Sequence, residues 1–407
     1  MNINRVPYFR PSISSDEIDE VADTLRSGWL TTGPKVRWFE DEFAEAVGSE
    51  YAVALNSCTA ALHLALEAVG LKSGDLVLVP TMTFASTAEV VRYFDAVPLF
   101  VDCNETLCID PQAVRETIEA VLENKPIAGL KPPYGKLKIL IPMHYGGYCC
   151  RMDEINKIGR AFDIAIVEDA AHSFPAYYKS EHSPDWKHAG TFGNVGCFSF
   201  YANKCITTGE GGMAVTDDEA LADRMRLMSL HGMNNNAWER YTDKGSWYYE
   251  IVAPGFKYNL TDIAAAIGIH QLKKAEMFRH KREAVARRYT ERLGKLPVVE
   301  TPFMDENTRI NSWHLYSIRL NLDRLTIDRA AFIQQLNNKG IGCSVHWQPL
   351  HMQPYYRSKY GLEPGLFPVA EVEWQRLVSL PIFPDMILEE VDYVIAAIED
   401  IANEYSI

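Results

Sequence analysis

Between residues 51 and 169, short apolar runs alternate with helical patterns, and this alternation constrains the fold more than any other feature. The runs cover 51–55, 76–79, 97–101, 138–142 and 164–167; the helical patterns between them cover 59–69, 85–93, 111–122 and 152–162. The runs are continuously apolar rather than alternating with polar residues, as in strands buried on both faces. Such strands form a mostly parallel sheet with helices on either side. Ligands of such sheets lie beyond the carboxyl ends of the strands. That rule selects 56–59, 80–84, 143–145 and the pair Glu168-Asp169.

A further apolar, aromatic run, 196–201, delivers Lys204 into a glycine-rich turn containing Gly209, Gly211 and Gly212, before a last strand-like run at 213–216. A lysine held near Phe198, Phe200 and Tyr201 loses solvation, which disfavours its ammonium and lowers its pKa. The neutral amine is a nucleophile able to form a Schiff base with an aldehyde. Taken alone, such a lysine reads more readily as a solvated strand end.

Ser14 and Glu17 have the spacing of a capping box, and Ile18, Val21, Ala22 and Leu25 follow on one helical face. Residues 27–34 read as a loop and 36–47 as a helix. The segments 123–137 and 180–190 interrupt the alternation and read as surface insertions. Asp217 or Asp218 caps a helix running to Leu230. Residues 234–255 are aromatic but aperiodic, and a loop of that length is often functional. A long helix from Leu260 leads through the basic stretch 279–288 into a second unit. Its expected strands are 315–320 and 343–347, with helices at 328–338 and 388–403.

The 407 residues suffice for two domains, placed at 1–285 and 286–407. A net charge of -14 argues against a nucleic-acid partner. The chain has neither an apolar run of membrane-spanning length nor an N-terminal export signal, so the expectation is a cytoplasmic protein without membrane contact. The eight cysteines form no Cys-x-x-Cys pair and read as reduced core thiols, without a metal site.

Asp169 ends a buried run. A carboxylate there either caps the following turn or pairs with a ring nitrogen and keeps it protonated. A protonated pyridine withdraws electrons from a substrate carbon, so pyridoxal 5′-phosphate (PLP) needs such a partner. His172, one turn on, is placed to hydrogen-bond the cofactor's phenolic oxygen. The junction Asn56-Ser-Cys-Thr-Ala-Ala61 offers free N–H groups at a helix start, a site for a phosphate, with hydroxyls from Thr59 and Ser199. Phe84 is a candidate to stack on a flat ring.

These residues together resemble the DegT/DnrJ/EryC1/StrS family of sugar aminotransferases. The resemblance runs through Ser27-Gly-Trp-Leu-Thr-Thr-Gly-Pro34, Asn56-Ser-Cys-Thr-Ala-Ala-Leu62, Glu168-Asp-Ala-Ala-His172, Phe198-Ser-Phe with Lys204, Gly209-Glu-Gly-Gly212, Gly255-Phe-Lys-Tyr-Asn-Leu-Thr-Asp262 and Trp313-His-Leu315. It implies an α/β fold of the fold type I PLP-dependent transferases, with a mostly parallel central sheet, helices on both faces and a smaller C-terminal α/β domain. It further implies that Lys204 carries the cofactor, Asp169 pairs with the ring nitrogen, His172 lies near the ring oxygen and Phe84 stacks on the ring. Cys58, Thr59 and Ser199 fall in the phosphate cup. Cys58 departs from the usual glycine or alanine; only a positive φ there would strain it.

The resemblance implies that Asn259 reaches the phosphate of a neighbouring subunit, hence a homodimer with shared sites. His314, Thr31 and Lys257 are implied on the substrate side, with Arg240 and Lys244 as further candidates for a diphosphate. The segments 247–262 and 345–356 look like the branch that aminates C4 of uridine-diphosphate 4-keto sugars. The implied reaction moves an amino group from an amino acid, with L-glutamate as donor, to a nucleotide-linked keto sugar. Of the alternatives, a PLP-dependent sugar dehydratase would carry histidine at the position of Lys204. A non-catalytic regulatory protein would have no need of Lys204, Asp169 and the cup together. A general amino-acid aminotransferase needs an arginine clamp, which the sequence does not identify.

Overall fold

A computed structural model describes residues 3–234 and 249–407. Arg240, Lys244 and most of the aromatic loop lie outside these residues. In chain order the strands are β1 (Tyr51–Leu55), β2 (Leu76–Pro80), β3 (Val97–Val101), β4 (Leu137–Leu140), β5 (Ala165–Asp169), β6 (Tyr177–Lys179), β7 (Trp186–His188), β8 (Val195–Ser199), β9 (Gly212–Thr216), β10 (Val299–Glu300), β11 (Arg309–Ile310), β12 (Tyr316–Leu320) and β13 (Leu377–Leu380).

Seven of them form the central sheet, in the order β1-β9-β8-β5-β4-β2-β3. β9 runs antiparallel to both of its neighbours, whereas the pairings among β8, β5, β4, β2 and β3 are parallel. The apolar runs are buried because helices cover both faces. Cys58–Ala68, Ala85–Arg92, Pro111–Leu122 and Met152–Phe162 arise where the helical pattern was read, within a residue or two. The crossovers place the strand ends that precede 56, 81 and 143, and those of β5 and β8, on one edge of the sheet.

The sequence expectations need three corrections. Residues 180–190 are not a bare insertion: β7 pairs with β6 and β6 with β11, in a three-stranded sheet. Backbone pairing there needs no apolar pattern. The long helix after Leu260 is two, Asp262–Lys273 and Ala275–Leu293. Residues 343–347 form no strand; Ser344 makes an isolated bridge to Ser379, and the third strand of the β10-β12-β13 sheet is β13. The chain leaves the pairing after Ser344 and carries His346 and Trp347 toward the central sheet. In the first helix, Ser15–Ser27, Ile18 and Leu25 are 62% and 55% exposed, whereas Glu17 and Thr24 are buried.

The hydrophobic interior divides. One core contains β2, β4 and their helices, and also Leu350, Tyr356, Tyr360, Leu362 and Phe367. Another joins Val6 to Val285, Tyr289, β12 and the C-terminal helix Leu388–Tyr405. A third packs Phe39 and Phe43 against Phe198 and Phe200, behind the strand that leads to Lys204.

Candidate active site

β5 and β8 are paired in parallel, with Asp169 opposite Cys197, so Asp169 and the chain leading to Lys204 leave the same sheet edge side by side. Beyond β8, Phe200 N–H donates to Gly211 O and Lys204 N–H to Tyr201 O, at 2.9 Å each, which folds 201–211 into a tight return. Gly209 takes φ +81°, a conformation that glycine adopts without strain.

Lys204 is half-buried. Desolvation pushes its pKa down to about 8, against weaker opposition from Cys58, Asp169 and Cys205. Asp169 is buried, and burial raises its carboxyl above the usual range. Hydrogen bonds from Thr87 Oγ1 (2.7 Å) and Ala171 N–H (3.2 Å) oppose that rise, as does Lys204. The two groups are close enough for each to shift the other's ionisation. A base held toward its neutral form and a buried acid thus lie within electrostatic reach of each other at one sheet edge.

Histidines cover the other side. His172 is buried, and its Nδ1 accepts from Gly146 N–H at 3.2 Å. Its ring lies 4.2 Å from that of His314 and stacks on Trp347 at 5.2 Å. His314 is buried, with no hydrogen-bond partner for Nδ1. Burial holds both imidazoles well below the ordinary histidine pKa, helped by Lys204. His346 is likewise pushed down to about 4, by burial and then Lys204, while its Nδ1 meets Ser379 Oγ at 2.9 Å. Neutral imidazoles thus face the lysine.

The turn after β1 forms a helix start. Ser57 caps Cys58–Ala68, its Oγ accepting from Ala60 N–H at 3.1 Å, which leaves Cys58 and Thr59 in the first turn. Cys58 takes no positive φ. Its thiol points inward to Cys197 O at 3.5 Å and lies near both Lys204 and Asp169. The departure at Cys58 is therefore unstrained. Ser199 ends β8, half-buried. Phe84 precedes the helix Ala85–Arg92, is 57% exposed and lies 6.4 Å from Trp347. Both line a cleft of about 760 Å³ with Thr83, Arg92, Gln348 and Tyr355.

Asn259, Lys257 and Thr31 fall in a separate cluster. Asn259 Nδ2 donates to Thr32 Oγ1 at 2.7 Å, and Lys257 Nζ donates to Asn259 Oδ1. Thr31 is exposed, and its carbonyl accepts from Asp262 N–H at 3.1 Å. Asp262 in turn receives Lys35 and Val36 N–H groups, which fastens the 27–34 loop to the 255–262 segment. Asn259 bridges Leu55, so the cluster flanks the strand that leads to the cup.

Sequence reasoning missed Thr87, His346 and Trp347 as site residues. Trp347 sits in a segment noted only for its resemblance, and Thr87 reads as an ordinary helix residue. Their signal is contact, of Thr87 with Asp169, of Trp347 with His172 and of His346 with Trp347, which spacing does not reveal.

The pocket suits PLP: a nucleophilic amine for its aldehyde, an acid for its ring nitrogen and a helix start for its phosphate. Among the described residues, no group of side chains is arranged to hold a metal, and no helix is long and apolar enough to cross a membrane.

The chain resembles known proteins along nearly its whole length. The chain is 46% identical to an uncharacterised protein, MJ1066, of Methanocaldococcus jannaschii, over 98% of both chains. It is 42% identical to the spore coat polysaccharide biosynthesis protein SpsC of Bacillus subtilis, over 98% of this chain and 97% of SpsC. Among solved structures it matches Spr1654 of Streptococcus pneumoniae, a proposed sugar aminotransferase, in its PMP form. The TM-score is 0.86 at 30% identity, over 98% of this chain and all of the other. The model of the DegT/DnrJ/EryC1/StrS aminotransferase family matches residues 11–399, and the chain belongs to that family.

Proposed function

We propose that the protein is a PLP-dependent aminotransferase that moves an amino group from L-glutamate to a nucleotide-linked keto sugar, at C4 of a uridine-diphosphate 4-keto sugar. Family membership and the sugar-directed relatives support the sugar substrate. The observation that carries the reading is the placement of Lys204 and Asp169 on one sheet edge, with the amine pKa brought down to about 8.

PLP, when bound, supplies an electron sink for the substrate carbon attached to nitrogen. The protein's own residues do the rest. Lys204 Nζ would hold the cofactor through its aldehyde and, as a free amine, would take up and return the donor's α-proton. Its depressed pKa keeps a useful fraction of the amine free near neutral pH. Asp169 holds the proton on the ring nitrogen. The N–H groups after Ser57, with Thr59 and Ser199, hold the phosphate. His172 orients the ring oxygen, Phe84 covers the ring, and His314 offers its free Nδ1 to a substrate hydroxyl. Thr31 and Lys257 serve the substrate side.

Asn259 is proposed to reach the partner's phosphate in a homodimer. The exposed apolar residues Ile18, Leu25 and Leu30 supply surface for such a contact.

The test is a half-reaction. The enzyme is converted to its amine-loaded form with L-glutamate, freed of donor, and offered a panel of keto nucleotide sugars. Recovery of the PLP absorbance with a uridine-diphosphate 4-keto sugar is expected. If 2-oxoglutarate restores the band and every nucleotide sugar fails, the sugar reading falls.

A further inference from the structure

Asp169 does not stand alone. Its Oδ2 accepts from Thr87 Oγ1 at 2.7 Å, and Thr87 Oγ1 lies 2.7 Å from Thr83 Oγ1. All three residues are buried, Thr83 and Thr87 completely. A hydroxyl has one proton to give. Thr87 gives its proton to the carboxylate, which can only accept when ionised. In the contact between the two threonines Thr83 is therefore the donor. The direction of the chain is fixed: Thr83 to Thr87 to Asp169.

The local sequence explains the arrangement. Thr83 lies on the turn after β2 and Thr87 in the first turn of Ala85–Arg92. The turn between them brings both hydroxyls under the end of β5. Ala171 N–H holds Oδ1 at 3.2 Å. One donor on each oxygen fixes the carboxylate plane, while each oxygen keeps a lone pair to spare. Hydrogen bonds in series polarise one another, so the outer hydroxyl strengthens the inner bond.

We propose that Thr83 and Thr87 form a directional hydroxyl relay that positions Asp169 and holds it ionised against the cofactor's ring nitrogen. They are positioning residues, acting through Asp169. The proposal rests on the PLP reading and on Asp169 as the ring-nitrogen partner. Burial works against an ionised Asp169, and the Thr87 hydroxyl is the foremost of the groups that oppose it. Valine at position 87 keeps the shape and removes the donor, whereas serine keeps the donor.

The experiment loads wild type, Thr87→Val, Thr87→Ser and Thr83→Val with PLP labelled with ¹⁵N in the ring. It reads the ring-nitrogen chemical shift by NMR, cofactor retention on dialysis, and kcat against pH. In wild type the shift of a protonated nitrogen is expected. Thr87→Val should move it toward the neutral value and lower kcat about tenfold or more. Thr87→Ser should restore the wild-type shift, and Thr83→Val should move it the same way by less. Wild-type shifts in both valine variants would overturn the relay while leaving Asp169 in its role. A neutral nitrogen in wild type would instead overturn the assignment of Asp169. If Thr87→Val does not fold, Thr83→Val decides: a shift at the wild-type value counts against the relay.

Discussion

Gly212, the first residue of β9, lies directly against the backbone of Cys58. A Cβ added to Gly212 would stand 2.5 Å from Cys58 N, and closer still to Ser57. The antiparallel strand can approach the cup only because this position carries no side chain. The glycine-rich turn after Lys204 thus serves two purposes: Gly209 turns the chain, and Gly212 lets the 57–58 turn, the proposed phosphate cup, sit against the sheet.

Replacement Gly212→Ala should push 57–58 outward by the margin of that overlap. Cofactor affinity is expected to fall about tenfold or more, equivalent to ~1.4 kcal/mol. Fluorescence titration of the apoenzyme with PLP measures it. Unchanged affinity would show that the cup tolerates displacement.

Lys204 in the apoenzyme should titrate near pH 8. Burial disfavours the ammonium, so the amine is free above that pH, while an exposed lysine stays charged to about 10.4. The rate of acylation of Lys204 against pH, followed by peptide mass spectrometry, should bend near 8. A bend above 10 would place the amine in solvent.

Asp169→Asn keeps the size of the side chain and removes its charge. Loss of about 10²–10³ in turnover is expected, the scale for removing one well-placed electrostatic partner. Cofactor should still bind through Lys204 and the cup, as absorbance will show. Retained turnover would break the pairing with the ring nitrogen.

The proposed sharing of sites between subunits allows a mixing test. Lys204→Ala and Asn259→Ala should each be impaired, the first by about 10²–10⁴ or more. Mixed subunits would regain one complete site, with Lys204 from one chain and Asn259 from the other. Recovery of activity on mixing is expected. If Asn259 serves its own chain, mixing restores nothing.

Glu17 ties the first helix to the body of the protein. Its carboxylate accepts from Ser14 N–H and Oγ, at 2.9 and 2.7 Å, and from Gln271 Nε2 at 2.7 Å, and pairs with Lys274. Burial alone would raise its pKa; these partners outweigh it and bring the value to about 2. A carboxyl depressed in the folded state stabilises above its ordinary value, near 4.5, and loses that contribution as pH falls toward 2. Glu17→Gln should cost about 2 kcal/mol at pH 7 and less at pH 3. Denaturant unfolding at both pH values checks this; an equal cost at each would be against it.

The central sheet was legible because most of its strands are predominantly apolar rather than alternating, as burial on both faces requires. Lys204, Asp169 and the helix start at Ser57 were legible because each follows such a strand. Residues 343–347 look like a strand but turn away after Ser344, since β13 takes the pairing along β12. The first helix shows its apolar face plainly, but periodicity does not tell which surface that face meets; in this chain Ile18 and Leu25 face outward.

From the sequence alone came the alternation of elements, the sheet edge that holds the site, and the residues able to do amine and acid chemistry there. Those properties are local, set by hydrophobic period, glycine and cap. Tertiary structure decided that Thr87 would meet Asp169, that Trp347 would stack on His172, and that three imidazoles would stay neutral beside Lys204. Contact and desolvation depend on distances between segments far apart in the chain, and no spacing along the chain encodes them.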